Sequence, residues 1–99
     1  MKYVIAVNDQ TGYYVPVLFS EEVTHAYIGK ALQRQRLTLM SAGFCYIREG
    51  SWVVNMNEKS ESMKLGPRST DDLILNLAFK QGLAGLDLYN MMTFLAIPG

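Results

Sequence analysis

The sequence holds one cysteine, one histidine and three prolines among 99 residues, and it has no excess charge of either sign. With Cys45 alone no intrachain disulfide can form, and a reducing cytoplasm is the default compartment. Nine Lys and Arg balance nine Asp and Glu. The broad positive field with which a dedicated nucleic-acid binder neutralises phosphate is therefore missing. Charged residues make up only 18% of the chain against 49% hydrophobic, which argues against disorder and for one packed core. Long uninterrupted apolar runs are also lacking. Residues 73–97 are broken by Asn76, Lys80, Gln81, Asp87 and Asn90, too many polar groups for a membrane span. Met1 leads into Lys2-Tyr3-Val4-Ile5, too short an apolar run for a signal peptide. No repeat, linker or low-complexity segment divides the chain, so residues 1–99 read as a single domain.

The hydrophobic pattern is informative. Tyr3–Val7 and Tyr13–Phe19 are rich in β-branched and aromatic residues and flank the turn-forming Asn8–Gly12, the signature of a hairpin. Pro16 has no N–H to donate and places the second strand at a sheet edge. Ser20 can cap a helix with Glu21 and Glu22 in its first turn. Val23, Tyr27, Ile28, Ala31 and Leu32 then form an apolar stripe, predicting a helix over 21–36 with His25 and Gly29 on its polar side. Leu39–Arg48 and Trp52–Met56 form a second hairpin around Glu49-Gly50-Ser51, with Gly43 as a bulge or close-approach point. Glu58–Gly66 is polar and reads as a loop.

Ser69 and Asp72 stand three apart in the manner of a capping box. They start a helix through Leu73–Phe79 that is apolar around most of its circumference and should be buried on more than one side. Gly82 suits its end. Leu88, Met91, Met92 and Leu95 follow helical spacing and predict a third short helix. The fold class is therefore α+β: a small, mostly antiparallel sheet in the order β-β-α-β-β-α-α, with helices packed on one face.

Chemistry is sparse. A Cys45–His25 dyad is arithmetically available, but Cys45 lies between Phe44 and Tyr46, where a small core thiol is the simpler reading. Glu21 and His25, one helical turn apart, lack the third and fourth ligands of a metal centre. Asp71 and Asp72 point about 100° apart on a helix and are explained by the helix dipole. No metal, cofactor or catalytic set is expected. Lys30, Arg34, Arg36 and Arg48 occupy a stretch with no acid, which offers an anion or nucleic-acid patch assisted by Tyr46 and Arg68. The simpler reading is that Lys30, Arg34 and Arg36 complement the negative C-terminal end of the first helix. The apolar tail is the better lead: Leu88, Met91, Met92, Phe94 and Leu95 suit an interface, because Met and Phe are large and Met is adaptable.

Thr24-His25-Ala26, Ser41-Ala42-Gly43-Phe44-Cys45, Ser60-Glu61-Ser62, Leu65-Gly66-Pro67-Arg68 and Asp71-Asp72 resemble segments of small uncharacterised proteins of phages and prophages. The resemblance covers about residues 15–75, implies no activity and carries over no site residue. It implies an accessory protein of a phage or mobile element. The expectation is thus a non-enzymatic protein–protein interaction or assembly module. It would be a homodimer, with a host protein as a further partner and no membrane. A nucleic-acid-binding accessory protein is the alternative.

Overall fold

In the computed structural model, residues 1–79, 93–94 and 97–98 are described. Four main strands, β1 (Lys2–Asn8), β2 (Tyr13–Phe19), β3 (Thr38–Arg48) and β4 (Ser51–Val54), lie in the order β4-β3-β1-β2. Two short strands, β5 (Thr93–Phe94) and β6 (Ile97–Pro98), run along the outer side of β2. All these pairs are antiparallel. Helix α1 (His25–Arg34) follows β2, and α2 (Asp71–Ala78) follows β4. The α+β class, the antiparallel sheet and the order of elements through α2 are as the sequence suggests.

The helices, however, take opposite faces of the sheet instead of one. Tyr3, Ile5, Leu18, Cys45, Trp52 and Val54 pack with Ile74, Leu75 and Phe79 of the α2 region. Val4, Ala6, Val17, Phe19 and Ala42 pack with Ile28 and Leu32 of α1. Because side chains alternate along a strand, a strand covered on both faces reads as a continuous apolar run rather than an alternating one. That is the pattern of Tyr3-Val4-Ile5-Ala6, each fully buried.

Turn chemistry sets the hairpins. The Asn8 side-chain oxygen accepts from the N–H groups of Gln10 and Thr11, an Asx turn, and Gly12 takes positive φ. In the second hairpin Arg48 pairs with Ser51, leaving Glu49 and Gly50, both at positive φ (53° and 79°), as a two-residue loop of type I′ character. The sheet irregularity lies between Ile5 and Ala6 of β1, opposite Met40, and not at Gly43. Gly43 is a close-approach point: a Cβ there would meet the Tyr3 ring at 3.2 Å.

Helix α1 starts four residues later than its sequence suggests. Ser20 makes a local turn by accepting from the Glu22 N–H, and the cap is Thr24, whose hydroxyl accepts from the Tyr27 N–H at 3.1 Å. The buried face is His25, Ile28, Gly29 and Leu32. Tyr27 faces outward and is 61% exposed. The helix ends with Arg36 in the left-handed region (φ 63°). The N–H groups of Leu37 and Arg36 return to the carbonyls of Leu32 and Gln33, a Schellman ending without its usual glycine.

Both outer strands have their edges occupied. On β4, the Asn76 side-chain amide of α2 accepts from the Trp52 N–H (2.7 Å) and donates to the Trp52 carbonyl (3.0 Å), as a neighbouring strand would. On β2, β5 pairs with Val17 and Leu18, and β6 pairs with Tyr13 and Tyr14. The described pairing skips Val15 and Pro16. Residues 95 and 96 lie outside the described residues; with β5 and β6 along its outer side, β2 is not the edge strand that Pro16 suggests. The helical spacing of Leu88, Met91, Met92 and Leu95 lies outside the described residues. Thr93–Phe94 and Ile97–Pro98, which do not, are extended. No helix among the described residues is long and apolar enough to cross a membrane.

Candidate functional site

The N-terminal turn of α2 carries a buried carboxylate. Asp71 is fully buried, although position and charge alone suggest only a solvated acid at a helix start. It accepts from the Tyr3 hydroxyl at 2.6 Å, the Ser41 hydroxyl at 2.9 Å and the Arg68 backbone N–H at 2.8 Å. The Arg68 Nε stands 3.5 Å from its other oxygen, and the guanidinium lies 5.8 Å from the centre of the Tyr14 ring. A buried carboxylate is costly unless paired and hydrogen-bonded; the three hydrogen bonds meet that demand and the guanidinium adds an opposite charge, while the buried Arg68 Nε and Nη2 themselves find no hydrogen-bond partner among the described residues. Burial, and then the hydrogen bond to Asp71, push the Tyr3 hydroxyl well above the usual tyrosine range, so it stays a donor. Tyr3, Ser41 and Asp71 are all fully buried and present no atom to a substrate. The hub is structural: it fastens β1, β3 and the segment entering α2 to one another.

His25 serves α1 in a similar way. Its Nε2–H donates to the Gly43 carbonyl at 2.9 Å, and its ring stands edge-on between Phe19 and Phe44. Burial lowers its pKa, partly opposed by the bond to Gly43. Cys45 belongs to the α2-side core, while Phe19, against which His25 packs, belongs to the α1-side core. The sheet thus separates the two residues, and no dyad forms. Burial pushes the Cys45 thiol up to about 12, leaving it protonated and a poor nucleophile. Glu21 lies outside α1 and is exposed, so it does not share a helical face with His25. Among the described residues no three His, Cys, Asp or Glu side chains converge as metal ligands.

The basic residues do not form one patch. Lys30 and Arg34 are exposed one turn apart on α1, and Arg36 ends that helix. Arg48 lies at the far end of β3, an 11-residue strand that spans about 30 Å at the usual rise. Tyr46 is exposed on the same strand, near Arg48 in sequence and not near the α1 cations. Arg68 is committed to Asp71.

Two open clefts of about 510 and 520 Å³ meet at Phe44 and Glu58. One adds Glu61 and Lys59, the other Glu21 and Lys2. Mixed charge of this kind selects no ligand sign.

The outward face of α2 differs from every other helical surface described. Ile74 and Leu75 are buried, yet Leu73 and Leu77, one turn apart, are 59% and 52% exposed. The helix is therefore not buried on several sides, as its nearly all-round apolar composition suggests. It carries apolar residues both into the core and out to solvent. Sequence reasoning missed this pair as surface residues; the signal was present, since a short helix on one sheet face cannot bury its whole circumference. Leu88, Met91, Met92 and Leu95 lie outside the described residues, and Phe94 is in β5.

No family model, curated protein or solved structure matches the chain.

Proposed function

We propose that this protein is a non-enzymatic interaction and assembly module that self-associates, in the simplest case as a homodimer. Its interface would be the outer face of α2 together with the apolar C-terminal segment. The observation that carries the reading is the exposed pair Leu73 and Leu77, immediately before a stretch rich in leucine and methionine. Exposed apolar side chains are common singly, but two on one turn, followed by more in sequence, form a patch that a partner would cover. A net charge of zero puts little repulsion between copies.

The magnitudes show why α2 alone does not suffice. Full burial of a leucine contributes about 1.5–3 kcal/mol, so covering the exposed halves of two contributes roughly the same in total. Association itself costs about 4–15 kcal/mol. The remainder would come from Leu88, Met91, Met92, Phe94 and Leu95. The phage-protein resemblance makes a host protein the natural heterologous partner for the same face, acting in the cytoplasm. Light scattering on the full chain at tens of micromolar tests the reading. A dimer that Leu77→Asp or Met92→Asp dissociates supports it, and a monomer unaffected by either substitution overturns it.

A further inference from the structure

The outer face of α1 carries two features that work against the fold. Lys30 and Arg34 are exposed at i and i+4, and like charges at that spacing destabilise a helix. No acid offsets them: Asp and Glu are absent between Glu22 and Glu49, and among the described residues no ion pair involves Lys30, Arg34 or Arg36. Arg36 then takes φ 63° where a helix ending of this kind favours glycine, a conformation that costs any residue with a Cβ. Sparsely populated backbone geometry gathers at ligand-binding positions. The helix dipole accounts for Arg34 in the last turn and for Arg36 beyond it, but its influence has faded at Lys30. Tyr27 completes the face. At about 100° per residue it shares a sector of about 60° with Lys30 and Arg34, and it is exposed. A cleft of about 190 Å³ opens beside this ridge, with Lys30, Gln33 and Ser62 as its polar lining and Leu39 and Met63 as its apolar lining. The ridge is short, rising about 10 Å from Tyr27 to Arg34. Acids bound it at both ends: Glu21 and Glu22 precede α1, and Asp9 accepts from the Thr38 hydroxyl just past it.

We propose that this ridge binds single-stranded nucleic acid, with Lys30, Arg34 and Arg36 on successive phosphates and Tyr27 stacked on a base. The occupant follows from the combination. Three cations without ion-pair partners among the described residues suit a polyanion, and an exposed aromatic ring among them supplies the face on which an unpaired base stacks. A basic surface this short suits a few nucleotides of one strand, not the two phosphate backbones of a duplex. The site lies across the sheet from α2, so it neither uses nor blocks the apolar face assigned to self-association.

Fluorescence anisotropy on the full chain with labelled oligo-dT and oligo-U of about ten nucleotides, within the usual site sizes, tests the proposal. Three neutralised phosphates give a slope of log affinity against log salt of about −2, so affinity should fall roughly twentyfold from about 50 to 200 mM salt. Lys30→Gln/Arg34→Gln keeps good helix formers. It should weaken binding at low salt at least about tenfold and reduce the slope to about −0.7. Tyr27→Ala should weaken binding at least about fivefold with the slope unchanged. Arg36→Gly separates binding from folding: it should raise the urea midpoint, since glycine suits that φ, while weakening binding severalfold. Absence of binding to both oligonucleotides at low salt, or affinity unchanged in Lys30→Gln/Arg34→Gln, overturns the proposal. So does a duplex of the same length bound as tightly as the single strand. An acidic peptide bound as tightly as the oligonucleotides, with Tyr27→Ala silent, overturns it in favour of an acidic protein partner.

Discussion

Replacing Asp71 with alanine should be among the most damaging single changes in the chain. The side chain accepts three hydrogen bonds, two of them from hydroxyls of fully buried residues. Without it, the Tyr3 and Ser41 hydroxyls and the Arg68 backbone N–H lose their acceptor, and each buried donor left unpaired costs about 1–3 kcal/mol. Relief from desolvating a carboxylate offsets part of this, giving a net loss of about 3–5 kcal/mol, the usual range for breaking a buried ionic pair. With a urea slope of about 1–1.5 kcal/mol per molar for a domain of this size, the unfolding midpoint should fall by about 2–5 M. Tyr3→Phe removes one donor and leaves the carboxylate its other partners, so it should cost about 1–2 kcal/mol. The two effects must not add, because Tyr3→Phe in the Asp71→Ala background removes a hydroxyl that already lacks its partner. Urea unfolding of the four proteins of this cycle is the assay. A loss below about 1 kcal/mol for Asp71→Ala, or strict additivity, would refute the hub as the fastening of the fold.

Further outcomes follow from the same contacts. The pKa of His25 is lowered from 6.5 by burial, so the native ring stays neutral where the unfolded chain begins to bind a proton. Its contribution is complete above pH 6.5 and is lost as pH falls from there through the folded pKa. Proton NMR of this single histidine should show a native midpoint below 6.5, and a midpoint at or above 6.5 contradicts the buried ring. Cys45 should react with an aromatic disulfide reagent only through unfolding, so its labelling rate should rise steeply with urea; rapid labelling in buffer contradicts the core assignment. Glu49→Asn suits the positive φ of the β3–β4 loop and should raise stability by about 0.5–1 kcal/mol in urea unfolding. An unchanged midpoint counts against the loop geometry.

Local structure was legible wherever short-range chemistry decides it. Runs of β-branched and aromatic residues, turn residues and helical spacing locate β1 to β4, both hairpins and α2 to within a few residues. They fail where long-range contacts decide. Ser20-Glu21-Glu22 has the composition of a helix start, but Thr24 wins because starting there turns His25 inward to the Gly43 carbonyl, eighteen residues away. Asp71 has the spacing of a dipole-stabilising acid; its burial depends on Tyr3 and Ser41, which no local pattern connects to it. The basic residues cluster in sequence because α1 and β3 are consecutive, yet the length of β3 carries Arg48 away from the others. The helix expected from the spacing of Leu88, Met91, Met92 and Leu95 would run through Thr93 and Phe94, but the open side of β2 recruits these two as a strand.

The central claim, that the exposed apolar face of α2 and the C-terminal segment bring copies together, is tested most directly by sedimentation velocity on the full-length protein. The concentration series should run from sub-micromolar to hundreds of micromolar. The account predicts a shift from monomer to dimer within that range, moved at least about tenfold to higher concentration by Leu73→Asp/Leu77→Asp, the loss of roughly 1.4 kcal/mol. A single monomeric boundary at every concentration, or a dimer indifferent to both substitutions, would contradict it.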